Sequence, residues 1–473
     1  MRVLLVQPPG EALGFGEMVR GEPLGLEMVA GALEEGGHEV KILDLRIKGR
    51  GGLLKELDSF SPDACGISCS YSVDHFWTLE IAKGVKSQKE GVFVFVGGNH
   101  ASMAWTDFPR EIDAVVVGEG EETSRELLDA LEQGGDLQGV KGLAINGRDG
   151  KVLTAPRPLL DDLDQLPFPK RVRPKGAGYY MGFQRPLALL ETSRGCPFRC
   201  SFCSVWEFFH GKYRTKSPER VLEEILTLRE PFVLFVDDNF LLDPDRAERI
   251  ALLLKESKVR KRYTFQARSD SIVRHPELIR LWKEVGLKGV FIGFEKVRDE
   301  DLRGLRKGNT VRNNDQALSF LQGLGIDVWA SFIVDPEFDH EDFRLLREYV
   351  ISRRIKTPTF SVLTPLPGTE LFREMESRLT TRDYRLFDIA HAVLPTKLSL
   401  EKFYQEFCSL YCLPYSKYRL IWEGFLAWLK GFPLGALLRM LRSAKRLSTP
   451  SHYLEAHRGL ITPSLPAGRS YPP

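Results

Sequence analysis

A chain of 473 residues, 43% hydrophobic and 27% charged, is too long for one ordinary domain and has the composition of a folded protein of about three domains. Its 66 basic and 64 acidic residues leave a formal charge of +2, which removes any general electrostatic pull toward nucleic acid. Seven cysteines, an odd number with three of them clustered, argue against a disulfide framework and for a metal or redox site in a reducing compartment. The opening "MRVLLVQPPG" has too short an apolar run before its prolines for a signal peptide and reads as a buried strand, so a cytoplasmic protein is expected.

From Arg2 to about Val117 short β-branched runs ("RVLLV", "EVKILDL", "ACGISCS", "VFVFVGG", "AVVVGEG") alternate with helical segments such as "LGLEMVAGALEEGG". That pattern predicts an α/β domain over residues 1–150 with a doubly wound parallel sheet, whose ligand sits over the strand carboxyl ends at a topological switch point. The loops expected there are rich in Gly and Ser: Pro8 to Gly16, Asp44 to Gly49, Ser68 to Ser72, Gly97 to Ser102 and Gly118 to Glu122. Glycine lets backbone approach a large ligand, so Ser68, Ser70, Gly97, Gly98, Gly118 and Glu119 are the candidate binding residues.

A hairpin-like "GLAINGRDGKVLTA" is followed by a proline-rich connector from Pro156 to Pro186, within a linker over 151–186 that leads to a second alternating series over 187–375. Its strands, "LALLETS", "FVLFVDD", "YTFQARS", "GVFIGFE", "DVWASFIV" and "TFSVLTPL", are separated by helices, which predicts a (βα)6 partial TIM barrel with its chemistry at the strand carboxyl ends. Residues 376–473 read as a helical region with a disordered end. Between Leu413 and Arg446 this region carries Lys417, Arg419, Lys430, Arg439, Arg442, Lys445 and Arg446 against Glu423. Two readings stay open for it: contact with anionic lipid headgroups, or helices packed on the barrel with basic outer faces.

The cysteine cluster "TSRGCPFRCSFCSVW" follows the first barrel strand and puts Cys196, Cys200 and Cys203 on one short loop. Soft thiolates select zinc or iron–sulfur clusters. A structural zinc wants four closed ligands, and His210 fits no knuckle spacing; a 4Fe-4S cluster held by three thiolates leaves one iron for a ligand from outside the protein. Cys65, Cys69, Cys408 and Cys412 lie in buried strand or helix patterns and read as core thiols.

The spacing of "CPFRCSFC" resembles the signature of the radical S-adenosylmethionine (SAM) enzymes. The resemblance implies that SAM chelates the open iron and is cleaved to a 5'-deoxyadenosyl radical, with Asp237 and Asp238 (beside Asn239), Arg268 and Glu295 holding its amino, carboxylate and ribose parts. Lys296 departs from the family, where small residues commonly follow the glutamate. The first domain resembles the cobalamin-binding domain of one large subgroup through "GGNHAS" and "VVVGEGEE". The histidine motif of many cobalamin domains is replaced by Asp44, Leu45, Arg46, Ile47, Lys48 and Gly49, and arginine is a poor metal ligand, so no histidine is expected below cobalt.

Beyond the cofactor motifs, "EPLGLEMVAGALEEGGHEV", "VDPEFD" and "RLTTRDYRLFDIAHAVLPTKLSLEKFY" are similar to the hopanoid C-3 methylases. That likeness implies methylcobalamin as methyl donor, methylation of an unactivated carbon of an apolar, hopanoid-like substrate, an electron donor such as flavodoxin or ferredoxin, no nucleic-acid partner, and contact with the cytoplasmic face of a membrane. Ring formation on another lipid or natural product with the same cofactors is the alternative. No side chain is singled out as an acid or base catalyst.

Overall fold

The computed structural model describes residues 1–10, 18–49, 51–175, 178–413, 417–429 and 431–459. Residues 11–16 of the first glycine-rich loop, Lys430, the side chains of Lys417 and Arg419, and the carboxyl end expected to be disordered lie outside the described residues.

In the first domain, strands β1 (Arg2–Gln7), β2 (Glu39–Asp44), β3 (Ala64–Ser68), β4 (Phe93–Gly97) and β5 (Ala114–Val116) are parallel in the order β2-β1-β3-β4-β5. Two antiparallel strands, β6 (Leu143–Asn146) and β7 (Lys151–Leu153), extend the edge as the expected hairpin. Helices α1 (Leu24–Glu35), α2 (Gly51–Phe60), α3 (Asp74–Gln88), α4 (Asn99–Met103) and α5 (Gly120–Glu132) cover both faces. The all-apolar core of β1, "VLLV", follows from this: Val3 and Leu5 pack under α1 and α5, Leu4 and Val6 under the opposite layer. The order 2-1-3-4-5 turns at the β1/β3 crevice, which fixes where a ligand can enter.

The second sheet, β8 (Leu187–Leu190), β9 (Phe232–Phe235), β10 (Arg262–Gln266), β11 (Leu287–Glu295), β12 (Asp327–Val334) and β13 (Thr357–Val362), is parallel throughout and in sequential order. Its helices α6 (Pro218–Thr227), α7 (Pro244–Glu256), α8 (Pro276–Val285), α9 (Val311–Gly323) and α10 (His340–Ser352) follow the strands in turn, and all but α8 start on a side-chain cap. Ser217 and Asp243 cap α6 and α7 just ahead of a proline, and Asp339 with Asp342 forms a capping box on α10. Phe235, Phe240, Tyr263 and Phe265 surround fully buried Trp282, whose indole N–H donates to the Ala247 carbonyl at 3.1 Å. This aromatic layer welds sheet to helices.

The tail departs from the helical expectation in its first part. Between Val362 and Leu400 it holds one short helix, Glu370–Met375, and is otherwise mostly irregular with single turns, and part of it lies against the open barrel edge: the Val362 N–H donates to the Ile389 carbonyl at 2.7 Å. Helices α11 (Leu400–Leu410), α12 (Lys417–Leu429), α13 (Leu434–Leu447) and α14 (Pro450–His457) follow. Cys65, Cys69 and Cys408 are buried as expected, but Cys412 is exposed: α11 ends at Leu410, so helical spacing no longer turns this thiol inward.

Candidate cofactor sites at the domain seam

The cysteine loop leaves β8 through Thr192, Ser193, Arg194 and Gly195. Gly195 has φ +90°, and a Cβ there would lie 2.0 Å from the Lys212 carbonyl oxygen, so only glycine turns the chain into the loop. Cys200 is buried and Cys196 and Cys203 are half-buried. Burial pushes all three thiols up, Cys203 to about 12, while Lys307 and Arg268 oppose the effect at Cys200. Three desolvated sulfur donors beside fixed cations suit a polynuclear iron–sulfur cluster, whose own positive irons supply the compensation that burial denies the thiolates.

The expected SAM residues surround this loop, with unequal freedom. Asp237 is buried and accepts from the Thr192 backbone N–H at 2.7 Å and the Ser193 hydroxyl at 2.7 Å, so it braces the exit of β8. Asp238 accepts only a long bond from the Gly195 N–H, at 3.2 Å, and opens to the crevice; burial of its surroundings pushes its carboxyl up to about 7. Arg268 donates to Asp270 at 2.9 Å and to the Lys307 and Gly308 carbonyls at 2.8 and 2.7 Å, and stacks 3.8 Å over Phe198 between the first two cysteines. Two of its five N–H groups remain.

Glu295 sits at φ +61° on a bulge that ends the β11–β12 pairing, and one of its oxygens accepts from Lys307 at 2.7 Å. A non-glycine residue held in this region is a local strain of about 1–3 kcal/mol, typical of ligand clamps. The orphaned amide of Asn239 points the same way: both its Nδ2 and Oδ1 are buried without a hydrogen-bond partner. Two unpaired polar atoms next to Asp238 fit a ligand with donors and acceptors of its own, such as SAM. Lys296 turns away to Asp335, at 3.6 Å, and to the Phe338 ring.

Across the seam, Ser68, Ser70, Gly97, Gly98, Gly118 and Glu119 all line one cavity of about 280 Å³ at the carboxyl ends of β3, β4 and β5. It runs down the sheet face to Leu5 and Gly66. A Cβ at Gly66 would lie 2.5 Å from the Phe95 ring, and one at Gly98, whose φ is +121°, would lie 2.8 Å from the Cys69 carbonyl group. The cavity exists because these side chains are missing, which suits the broad ring and long tail of a corrinoid. Gly66 was overlooked in the sequence; the signal was a glycine inside the buried strand run "ACGIS". Arg46 is locked by Asp44 in a two-pronged pair, at 2.9 and 2.6 Å.

Glu191 and Arg194 of the barrel line the same cavity. Arg194 reaches Glu119 at 2.7 Å, Glu121 at 2.5 Å and Glu191 at 2.7 Å, and Arg214 adds a second guanidinium on Glu119 at 2.9 Å. Although burial works the other way, Arg214 and Arg194 hold the Glu119 carboxyl below its usual range. Both Glu119 oxygens are thus engaged by the barrel, so its carboxylate is a bracket between domains and a wall of the cavity. The Ser204 hydroxyl, one residue past Cys203, donates to Asn99 Oδ1 at 3.3 Å and adds a second tie. Neither Arg194 nor Arg214 was singled out from the sequence, since nothing local announces a partner some 75 or 95 residues away.

A second gathering of possible ligands lies on the other face of β3. Cys69, His75 and His100 place ligand atoms within 4.8 Å of one another. The two histidines are tied into their surroundings: His75 Nδ1 and His100 Nε2 are 3.2 Å apart, Ser72 is 3.0 Å from His100 Nδ1, and Phe108 and Tyr384 pack on the rings.

A doubly wound domain with a glycine-lined cavity, facing a (βα)6 barrel with three cysteines after its first strand, defines a two-cofactor radical enzyme. The B12 binding domain model matches residues 19–128 and the Radical SAM superfamily model residues 190–350. Hopanoid C-3 methylase of Methylococcus capsulatus is 36% identical over 404 residues, 85% of this chain and 78% of that protein. Anaerobic magnesium-protoporphyrin IX monomethyl ester cyclase of Rubrivivax gelatinosus is 27% identical over 83% of this chain and 73% of its own. The solved structure of the radical SAM methyltransferase TsrM from Kitasatospora setae, with cobalamin and a [4Fe-4S] cluster bound, shares the fold at a TM-score of 0.66 and 21% identity, covering 80% of this chain and 78% of that one.

The chain belongs to the cobalamin-binding radical SAM family. It is a cobalamin-dependent radical SAM methyltransferase whose cofactors are a 4Fe-4S cluster, SAM and cobalamin.

Proposed function

We propose that this methyltransferase adds a methyl group to an unactivated ring carbon of a hopanoid, C-3 of ring A. The observation that carries the two-cofactor chemistry is the single cavity lined by both domains, with Gly98 and Gly118 on one side and Arg194, two residues before Cys196, on the other. The substrate assignment is supported by the 36% identity to hopanoid C-3 methylase over 78% of that protein. A saturated carbon has neither an acidic proton nor a lone pair, and the bound cofactors supply the radical and methyl-transfer chemistry that polar catalysis lacks.

The chain's own residues hold, orient and exclude water. Cys196, Cys200 and Cys203 are the cluster ligands in this reading. Asp238, Asn239, Arg268 and Glu295 form the SAM face, with Asp237 as the brace that sets Asp238. Ser68, Ser70, Gly97, Gly98 and Gly118 form the cobalamin edge, and Glu119 fixes that edge to the cysteine loop through Arg194 and Arg214. A bracket of this stiffness matters because a misplacement of about 1 Å at a reacting centre can cost roughly 100-fold in rate.

The segment similar to hopanoid C-3 methylases also spans both domains: the Tyr384 hydroxyl donates to Asp107 at 2.6 Å, and its ring packs on His75 and His100. A low-potential donor of the flavodoxin or ferredoxin type and a peripheral contact with the membrane that stores the substrate complete the reading. It is tested by anaerobic turnover of a detergent-solubilised hopanoid with methyl-deuterated SAM. A product heavier by one labelled methyl at C-3 is expected; an unlabelled, ring-modified product would overturn methyl transfer here.

A further inference from the structure

We propose that helices α12 and α13 form a hairpin that inserts into the interface of an anionic lipid bilayer. In α13 the two faces are sharply divided. Ala436, Leu437 and Met440 are buried with Ala427 and Phe432 against Tyr180 of the interdomain linker, whereas Leu434, Leu438 and Leu441, spaced by four and three residues, form one exposed stripe. In α12 the exposed residues are Trp422, Phe425, Leu426, Trp428 and Leu429, with Trp422 60% and Leu429 61% exposed. The rings of Trp422, Phe425 and Trp428 follow one another at centroid distances of 6.0 and 6.1 Å.

The two exposed faces meet. An apolar cavity of about 320 Å³ opens between them, lined by Phe183, Phe425, Trp428, Leu434, Leu438 and Leu441. Eight of the fifteen large hydrophobic side chains found exposed among the described residues fall between Trp422 and Leu441, so the patch is a concentration and not scatter.

Charge identifies the occupant. Immediately beyond the apolar stripe, Arg442, Lys445 and Arg446 are exposed along the last turns of α13, and Glu423 is the sole acid between Trp422 and Leu447. An apolar stripe beside a row of aromatic rings and ending in a cationic turn matches hydrocarbon below and anionic headgroups above. Among the described residues no helix is long and apolar enough to cross a membrane, so the contact is interfacial. The hairpin's anchor sets its place. Arg185 of the linker donates to the Gly431 carbonyl at 3.0 Å and its guanidinium stands over the Phe432 ring, which ties the hairpin to the joint between the domains.

The proposal deepens the hopanoid reading by naming the lipid surface the enzyme works from, and its test needs no hopanoid. The full reconstituted chain is floated with vesicles of phosphatidylcholine alone or with phosphatidylglycerol added. Binding to the anionic vesicles is expected to exceed binding to neutral ones by about tenfold, and to weaken steeply with salt. L434D/L438D is expected to lower binding about tenfold, and R442E/K445E to abolish the preference for phosphatidylglycerol, with SAM cleavage and melting temperature unchanged in both. Absence of vesicle binding, or equal binding by L434D/L438D, would overturn the proposal. So would a dimer in light scattering that L434D/L438D turns into a monomer, because the patch would then be a self-interface. Failure of the labelled-methyl experiment with vesicle binding intact would remove the hopanoid assignment and leave the lipid surface standing.

Discussion

The two edges that meet at the seam are built by opposite means. The cysteine loop works through side chains that are present: three thiols, a stacked arginine and an orphaned asparagine amide. The glycine edge works through side chains that are absent, since a Cβ at Gly66 or Gly98 would fill the cavity or collide with its frame. Empty volume in a close-packed interior is lost as soon as a neighbour fills it, so the glycine edge needs its frame held in place. This explains why the ion bracket belongs to the glycine edge: Glu119 is anchored by two guanidinium groups, while Asp238 keeps a single long hydrogen bond.

The contrast can be broken from either side. The largest effect is expected from Cys200→Ala, which should remove the cluster's visible absorption and lower SAM cleavage by at least about 1,000-fold, with cobalamin binding retained. If cobalamin retention fell as well, the two edges would not be independent. Glu119→Gln comes next. It removes the carboxylate partner of Arg214, about 95% buried, and leaves Arg194 with Glu121 and Glu191; breaking a buried ion pair of this kind costs about 3–5 kcal/mol. A lower melting temperature of the first domain and loss of retained cobalamin should be measurable, and an unchanged melting curve would show that the bracket does not hold the seam.

Gly98→Val should cost about 1–3 kcal/mol of loop order and reduce cobalamin retained through gel filtration by roughly 10- to 100-fold, with cluster content unchanged. The last prediction concerns pH. Glu27 in α1 is fully buried, accepts from the Val172 N–H at 2.7 Å, and has its carboxyl pushed up to about 9 by burial and then by Glu22. A carboxyl raised in the folded state gives stability that is complete below its unfolded value of about 4.5 and is lost as pH rises toward about 9. Urea midpoints should therefore fall over that window in the native chain and fall less in Glu27→Gln; parallel curves would show that Glu27 is ionised at neutral pH.

Side-chain chemistry and strand rhythm were legible in the sequence because both are local. The cysteine spacing, the six barrel strands and the five parallel strands could each be read within a few dozen residues. The cavity was legible as a row of glycines after strands, though not its depth, because Gly66 has meaning only beside Leu5 and Phe95 on neighbouring strands. Arg194, Arg214 and Arg171 were not legible at all. Arg171, in the linker, joins Glu22 of the first domain to Glu224 of the barrel, a pairing that exists only once both domains have folded. The run from Arg378 to Leu398 misled for a related reason: it has helix-compatible residues, but the open edge of β13 offers its backbone better partners.

The charged seam has a bearing on assembly as well as on chemistry. Parting the domains would strand Arg194 and Arg214 on one side and Glu119 and Glu121 on the other, so the halves do not swing apart as a cheap hinge. Cobalamin is therefore expected to enter before the seam locks, during folding or reconstitution, and to exchange slowly afterwards. The chain would behave toward it as toward a built-in part, whereas SAM has to come and go with each turnover.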